Sequence, residues 1–321
     1  MESSIMSVAN GFNLKCTKAK VFRDKFGYVC ATTKGSVRIQ RPRAAYRIPQ
    51  SNAYNALNAA ISGILFQHEV KECLHDNGFA IDRFLISSQD VPYFRVDDDI
   101  YVACFAHSGS NITFTDSDAF LGVIAHVARM HHVLYKSNIG AAHPKKVKAG
   151  DDAAKSLAGL TLLRKKLLKA GKFSEFDMLF LRSYEKLAAH VVTIEDSNTR
   201  YICHNLLKEE NIYIHDGEII LTNFNEAAPM HYLYDLAYVV KRYIKAMPKD
   251  IIPLNKILTT YIANCPNIEF DDALFRRILL YPDKFIKISN DYYSKKRSFA
   301  PNTYISRIGE CLRTGETLAK L

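Results

Sequence analysis

The feature that most constrains this chain is a single short β island inside a long helical stretch. Ile212 to Ile214 and Ile219 to Thr222 are apolar, β-branched runs on either side of Asp216-Gly217, a dipeptide that accepts the positive φ of a tight hairpin. Around the island the period is helical, with apolar residues recurring at three- and four-residue spacing over Asp116 to Leu134, Ala153 to Ala170, Phe173 to Glu195 and several segments after Asp235. Any fold for this chain must accommodate that order.

The N-terminal part has a different pattern. From Phe12 to Arg41 apolar and polar residues alternate around Lys25-Phe26-Gly27 and Thr33-Lys34-Gly35, which predicts short antiparallel strands joined by hairpins. Asn52 to Asn77 then carries Ala56, Ala60, Ile64, Val70 and Leu74 at helical spacing and stops at Gly78, a suitable left-handed cap. Phe84 to Ser87, Tyr93 to Val96 and Ile100 to Phe105 follow, with Asp97-Asp98-Asp99 as a turn, and complete a sheet of about five strands. Beyond Ser108-Gly109-Ser110 the helical patterns take over, placing a boundary near Ala106. The expected fold is α+β with two lobes, an antiparallel-sheet lobe over residues 1–105 and a mainly helical lobe with the central hairpin over residues 106–321. Lys145 to Asp152 is a solvated connector within the helical part.

Composition narrows the function classes. With 321 residues, 48% hydrophobic and 24% charged, the chain has apolar material for one large core or two modest ones. Met1 to Gly11 lacks the pattern of a secretory signal. The longest apolar stretches, Ala56 to Phe66 and Ala119 to Met130, are interrupted well before the roughly 18 residues a membrane span needs. The seven cysteines are scattered without close pairs, as expected of small core side chains in a reducing, cytoplasmic compartment. The net charge of +10 is spread over many helices and reads as a solvated basic surface rather than a specific nucleic-acid site.

Three stretches carry a resemblance: Cys203-His204-Asn205-Leu206-Leu207-Lys208-Glu209-Glu210-Asn211-Ile212-Tyr213-Ile214, then Ile219-Ile220-Leu221-Thr222-Asn223-Phe224-Asn225, then Tyr234-Asp235-Leu236-Ala237. Together they resemble the catalytic core of aminoglycoside and choline phosphotransferases. There a loop H-x-D-x-x-x-x-N precedes a hairpin that ends in D-x-D, and a buried Asp opens the next helix. The resemblance is closest to the spore-coat CotS-type branch of that protein-kinase-like superfamily. Further matching stretches are Leu74-His75-Asp76-Asn77-Gly78-Phe79, Phe173 to Arg182 with Phe176-Asp177, Tyr281-Pro282-Asp283-Lys284-Phe285 and Tyr292-Tyr293. In active members, the resemblance implies, the loop Asp handles the proton of the attacking hydroxyl. The loop Asn and the first Asp after the hairpin hold magnesium against the phosphates.

At the acidic positions of this pattern the chain departs from it. The base position is Leu206, or Asn205 if the register slips by one, and neither can accept a proton. The loop Asn is present as Asn211, but the metal Asp is Asn223, and Asn225 stands at the second acidic position. A hard cation prefers anionic oxygens to amides. Gln40 ends the strand pattern Gly35 to Gln40, where the resemblance implies a phosphate-binding Lys; Arg38, Arg41 and Arg43 are nearby cations that could substitute, although alternation along a strand turns some of them to solvent as plain surface charges. Thr17 to Arg23 holds no glycine for a phosphate loop. Loss of a general base costs about 10² to 10⁴ in rate.

Glu209, Glu210 and especially Glu226 are the candidate rescuing acids. His204 and Asp235 are expected to be structural, His204 bracing the loop and Asp235 capping its helix while tying the loop from below. The pair His131-His132 reads as packing, since a metal site there lacks a third ligand. Tyr281, Tyr292 and Tyr293, near Lys284, Lys287, Lys295, Lys296 and Arg297, read as core tyrosines beside a basic face. No metal or cofactor is expected, and residual ATP binding stays open.

The resulting expectation is a non-catalytic, kinase-like protein of spore assembly, made in the mother-cell cytoplasm and then located in the coat, that contacts spore-coat or other proteins. The competing expectations are a small-molecule or glycan phosphotransferase using a substitute carboxylate, and a regulatory nucleotide-binding pseudokinase.

Overall fold

The computed structural model describes residues 2–21, 27–33, 35–41, 53–106, 109–139, 153–194, 201–247, 250–266, 268–294 and 300–321. The chain divides into two compact units. The first comprises Met1–Ile112, Val133–Ala142 and His204–Ala227; the second comprises Thr113–His132, His143–Cys203 and Ala228–Leu321. The central hairpin thus belongs to the same unit as the N-terminal sheet.

In the first unit, helix α1 (Glu2–Gly11), which the sequence patterns did not predict, precedes strands β1 (Cys16–Val21), β2 (Gly27–Thr32) and β3 (Gly35–Gln40). Helix α2 (Ala53–Asp76) and strands β4 (Phe94–Val96) and β5 (Asp99–Phe105) follow. The five strands form one antiparallel sheet in the order β1-β2-β3-β5-β4. Alternation along β3 and β5 sorts their side chains onto two faces. Val37, Ile39, Tyr101 and Ala103 pack with Ile5, Val8 and Ala9 of α1. Ile100 and Val102 pack with Ala60 and Ile64 of α2.

The expected helix over Asn52 to Asn77 and its cap are present, Gly78 adopting φ +81°. Phe84 to Ser87, by contrast, is not a strand. Only Phe84 forms an isolated bridge, to Cys104, because the amide of Ser87 turns to the carbonyl of Val91 (2.9 Å) and that of Ser88 to Gly11 (2.7 Å).

The hairpin is built as its sequence predicts. A two-residue strand, β6 (Ser110–Asn111), pairs with β8 (Ile212–His215), which pairs with β9 (Glu218–Leu221). Asp216 (φ 49°) and Gly217 (φ 80°) form the turn between β8 and β9.

The second unit holds most of α3 (Ser117–Ser137), then α4 (Ala153–Ala170), α5 (Glu175–Leu187), α6 (Leu233–Ala246), α7 (Leu254–Asn264), α8 (Asp272–Leu280), α9 (Asp283–Tyr293) and α10 (Pro301–Leu318). A small ladder joins β7 (Ile202–Cys203) to β10 (Ala228–Pro229). Helix α5 begins at a capping box of Ser174 and Asp177. It ends earlier than the expected Glu195: a 3-10 turn closes at His190, because the β-branched run Val191-Val192-Thr193-Ile194 disfavours helix.

Phe176-Asp177 and Tyr292-Tyr293, two of the stretches that carried the resemblance, interlock here. The Phe176 ring stacks on Tyr292 at 3.6 Å between centroids, and the Tyr293 hydroxyl donates to Asp177 Oδ1 at 2.7 Å. Tyr281 is buried. These tyrosines are packing residues; Lys295, Lys296 and Arg297 lie outside the described residues, as do Arg23, Lys25, Phe26, Lys34, Arg43 and Lys145 to Asp152.

Candidate functional site

In the first unit, the loop before β8 is closed by hydrogen bonds that run through His204, Asn205, Leu206, Asn211 and Asn223. His204, fully buried, directs Nε2 to the carbonyl of Thr222 (2.9 Å), while its Nδ1 accepts from the amide of Leu206 (3.2 Å). That pattern assigns the ring proton to Nε2. The ring also meets Phe224 edge-on at 4.4 Å. Asn205 takes a left-handed backbone (φ 64°), which an asparagine tolerates, and its Nδ2 donates to the carbonyl of Glu226 (2.9 Å). His204 therefore braces the loop.

Leu206, half-buried, offers only its carbonyl. That oxygen accepts from Asn211 Nδ2 at 2.8 Å and from the amide of Lys208 at 2.7 Å. The side-chain oxygen of Asn211 in turn accepts from Asn223 Nδ2 at 3.2 Å. Two neutral carboxamides are thus bonded to each other at the positions where the resemblance implies magnesium ligands. Asn223 is also left-handed (φ 65°, ψ 58°) at the end of the hairpin. Asn223→Ala should cost about 1 to 2 kcal/mol, because alanine is strained in that region. Asn223→Gly should cost less, a contrast that urea unfolding of the two variants would measure.

The candidate acids are scattered. Glu226 closes a 3-10 turn, Phe224–Glu226, and its carbonyl serves Asn205. Glu210 is exposed and pairs with Lys208 at 3.3 Å, and the carbonyl of Glu209 accepts from Asn111 Nδ2 at 3.0 Å.

Gln40, half-buried at the end of β3, lies opposite Val102 and so shares the α2 face of the sheet with Arg38, which lies opposite Cys104. Arg41 is engaged by the Asp99 carboxylate and by the Tyr101 hydroxyl, which its Nη2 reaches at 3.0 Å. Being held by Tyr101, which packs with α1, it points away from the Gln40 face.

A charged pair that the sequence reading passed over lies beside Asn223. Lys71 of α2 is 2% exposed; its Nζ donates to the carbonyl of Asp82 (2.8 Å), sits 3.1 Å from Asp82 Oδ1 and rides 3.9 Å above the Phe84 ring. Asp82 Oδ2 in turn accepts from the backbone amide of Asn223 at 3.5 Å. Burial pushes the neighbouring Cys104 thiol up to about 12, with the Asp82 carboxylate adding to the shift and Lys71 and Arg38 opposing it. The missed signal was a lysine on the apolar stripe of a helix, in phase with Ala60, Ile64 and Leu74.

In the second unit, Asp235 is not the expected helix cap. It is the third residue of α6, whose cap position is Tyr232, and its Oδ2 pairs with His131 Nε2 at 3.2 Å. His131 Nδ1 meets the Tyr261 hydroxyl at 2.6 Å, and burial holds that phenol well above its ordinary range, so it stays protonated and donates. Cys203 supplies the third ligand-type atom that the sequence did not place near His131: the Cys203 thiol, the His131 ring nitrogen and the Asp235 carboxylate lie within 4.8 Å of one another, all buried. The thiol donates to the carbonyl of His231 (3.1 Å), so each of the three groups already serves a hydrogen bond of the core. None of the seven cysteines is in a disulfide.

No family model and no curated protein matches this chain. Solved structures do. An aminoglycoside phosphotransferase from Alicyclobacillus acidocaldarius matches with a TM-score of 0.70 at 15% identity, over 98% of this chain and 93% of its own. Spectinomycin phosphotransferase, solved with ADP and spectinomycin, matches at 0.62 and 11% over 100% and 98% of the two chains. The choline kinase of Streptococcus pneumoniae matches at 0.55 and 11% over 100% and 99%. At these identities the likeness establishes the fold: an α+β, kinase-like phosphotransferase fold. No described helix is long and apolar enough to cross a membrane.

Proposed function

We propose that this protein is a non-catalytic member of the kinase-like phosphotransferase fold that works by protein-protein contact, in the setting of spore assembly. One observation carries the first half of the reading: the loop keeps its hydrogen-bonded backbone while Leu206 and the Asn211-Asn223 amide pair stand where a base and an anionic metal ligand are needed. A leucine cannot take a proton from an attacking hydroxyl. Two amides offer a divalent cation no negative charge. A fold released from chemistry still presents its surfaces to partners. The spore setting follows from the ordered motifs that resemble the CotS-type branch. It predicts that the protein is enriched in purified spores; full abundance in growing cells together with absence from spores would overturn it.

The site is tested by thermal unfolding with ATP, with and without magnesium, on the natural protein and on a Gln40→Lys, Leu206→Asp, Asn223→Asp variant. The natural protein should not shift and should not turn over ATP. The variant should gain a shift, since ligand at about a hundred times its Kd stabilises by about 2.7 kcal/mol. A shift of the natural protein without turnover would assign it instead as a nucleotide-binding regulator. Turnover abolished by Glu226→Gln would make it an enzyme with a substitute acid.

A further inference from the structure

We infer that the exposed face of α4 is the docking surface, and that it takes an acidic polypeptide segment with apolar side chains interleaved among its carboxylates. This deepens the contact-based reading above and rests on it.

Helix α4, AAKSLAGLTLLRKKLLKA, contains no acidic residue. Its inward side is marked by buried Ala153 and Leu160, while Arg164 lies 5.4 Å over the Tyr184 ring of α5. At 3.6 residues per turn, Leu162, Lys165, Lys166 and Lys169 fall within an arc of about 100° on the opposite side, with Leu168 on its flank. The three lysines are exposed, and Leu162 and Leu168 are 54% and 49% exposed. Phe173, at 41%, extends the apolar contribution just beyond the helix.

Several cations elsewhere in the same unit are matched. Arg182 and Lys186 share Glu316, Lys245 lies 3.0 Å from Glu310, and Arg276 lies 2.8 Å from Asp272. Among the described residues, Lys165, Lys166 and Lys169 have no carboxylate within ion-pair distance. A patch that sets Lys165, Lys166 and Lys169 beside half-exposed leucines is complementary to acids spaced by apolar groups.

The same features weigh against the other anionic surfaces. The continuous apolar stripe of α4 is turned inward, so the outward face has no stripe to insert into a bilayer. Its interleaved side chains are leucines rather than the aromatic and amide groups that read bases.

The test is fluorescence anisotropy of a labelled synthetic peptide of alternating glutamate and leucine, titrated with the full-length protein. Binding should weaken steeply between low and high salt. It should weaken by about tenfold or more in Lys165→Glu, Lys166→Glu, Lys169→Glu, because charge reversal both removes three attractions and adds three repulsions. Leu162→Ser, Leu168→Ser should also weaken it, and should bring its affinity down to that of an all-glutamate peptide. Circular dichroism verifies that both variants fold. No binding, or binding indifferent to charge reversal, overturns the inference. So does capture by phosphatidylglycerol vesicles, lost in the same variants, without peptide binding. If the peptide fails while magnesium-ATP leaves the protein unshifted and unconsumed, only this surface is wrong; ATP turnover would instead strike the functional reading itself.

Discussion

Lys71→Ala should destabilise the first unit by about 3 to 5 kcal/mol, the range for removing one partner of a buried ion pair. The ammonium is almost fully enclosed. It donates a hydrogen bond to the Asp82 carbonyl, makes an ion pair with Asp82 Oδ1 at 3.1 Å and lies 3.9 Å over the Phe84 ring. Removing the lysine leaves the Asp82 carboxylate, 11% exposed, without its cation and beside the Asn223 turn. With about 2 to 4 °C of Tm per kcal/mol for domains of this class, the loss should appear as a drop of about 6 °C or more. The double variant Lys71→Met, Asp82→Leu should recover most of it, because a packed apolar pair has no desolvation cost to offset. Thermal and urea unfolding of the two proteins would decide the matter: equal losses in both would mean that the site depends on packing volume and not on charge. A loss of the Asn223 hydrogen bond should accompany the single variant and loosen the hairpin end, read as faster amide exchange at Asn223.

Acidification should unfold the protein through His126. This side chain is buried on α3, its Nδ1 3.3 Å from Arg129 Nη2, and burial, with the Arg129 charge adding to it, lowers its pKa from 6.5 to about 4. The depressed value sets the sign. As pH falls through about 6.5 the unfolded chain takes up a proton at this position while the folded chain resists until about 4, so stability is lost across that window and is intact above it. A shift of this size is worth about 3 kcal/mol at the lower end. His126→Gln should flatten the dependence between these pH values, whatever it does to stability at pH 7. An unchanged acid limb in the variant would move the cause to other groups.

The parts of the fold that were legible in the sequence are those set by local backbone demands. Asp216-Gly217 specifies its hairpin because few other pairs accept two positive φ values in succession. Gly78 ends α2 for the same reason. The alternation in Gly35 to Gln40 predicts β3, and its buried and half-buried positions alternate accordingly. The loop from His204 to Asn211 was legible as a motif of fixed spacing, and in the fold His204 Nε2 meets the Thr222 carbonyl at 2.9 Å.

What the sequence left open depends on pairs far apart in the chain. Asp235 reads as a helix cap from its place at the start of α6, yet its carboxylate pairs with His131 across 104 positions. A capping preference is local, whereas a buried carboxylate must find a donor wherever the packing of the helices supplies one. Lys71 lies on the apolar stripe of α2, and only the packing of α2 against the segment that carries Asp82 and Phe84 supplies its partners. The fate of Asn211 and Asn223 also required the folded hairpin, because an amide can serve a cation or another amide, and only the 3.2 Å contact between them selects the second. By itself, then, the sequence determined where the backbone turns, which faces are apolar and which acids are missing. The tertiary structure decided which buried polar groups satisfy one another, because that choice rests on distances between elements and not on the period within any one of them.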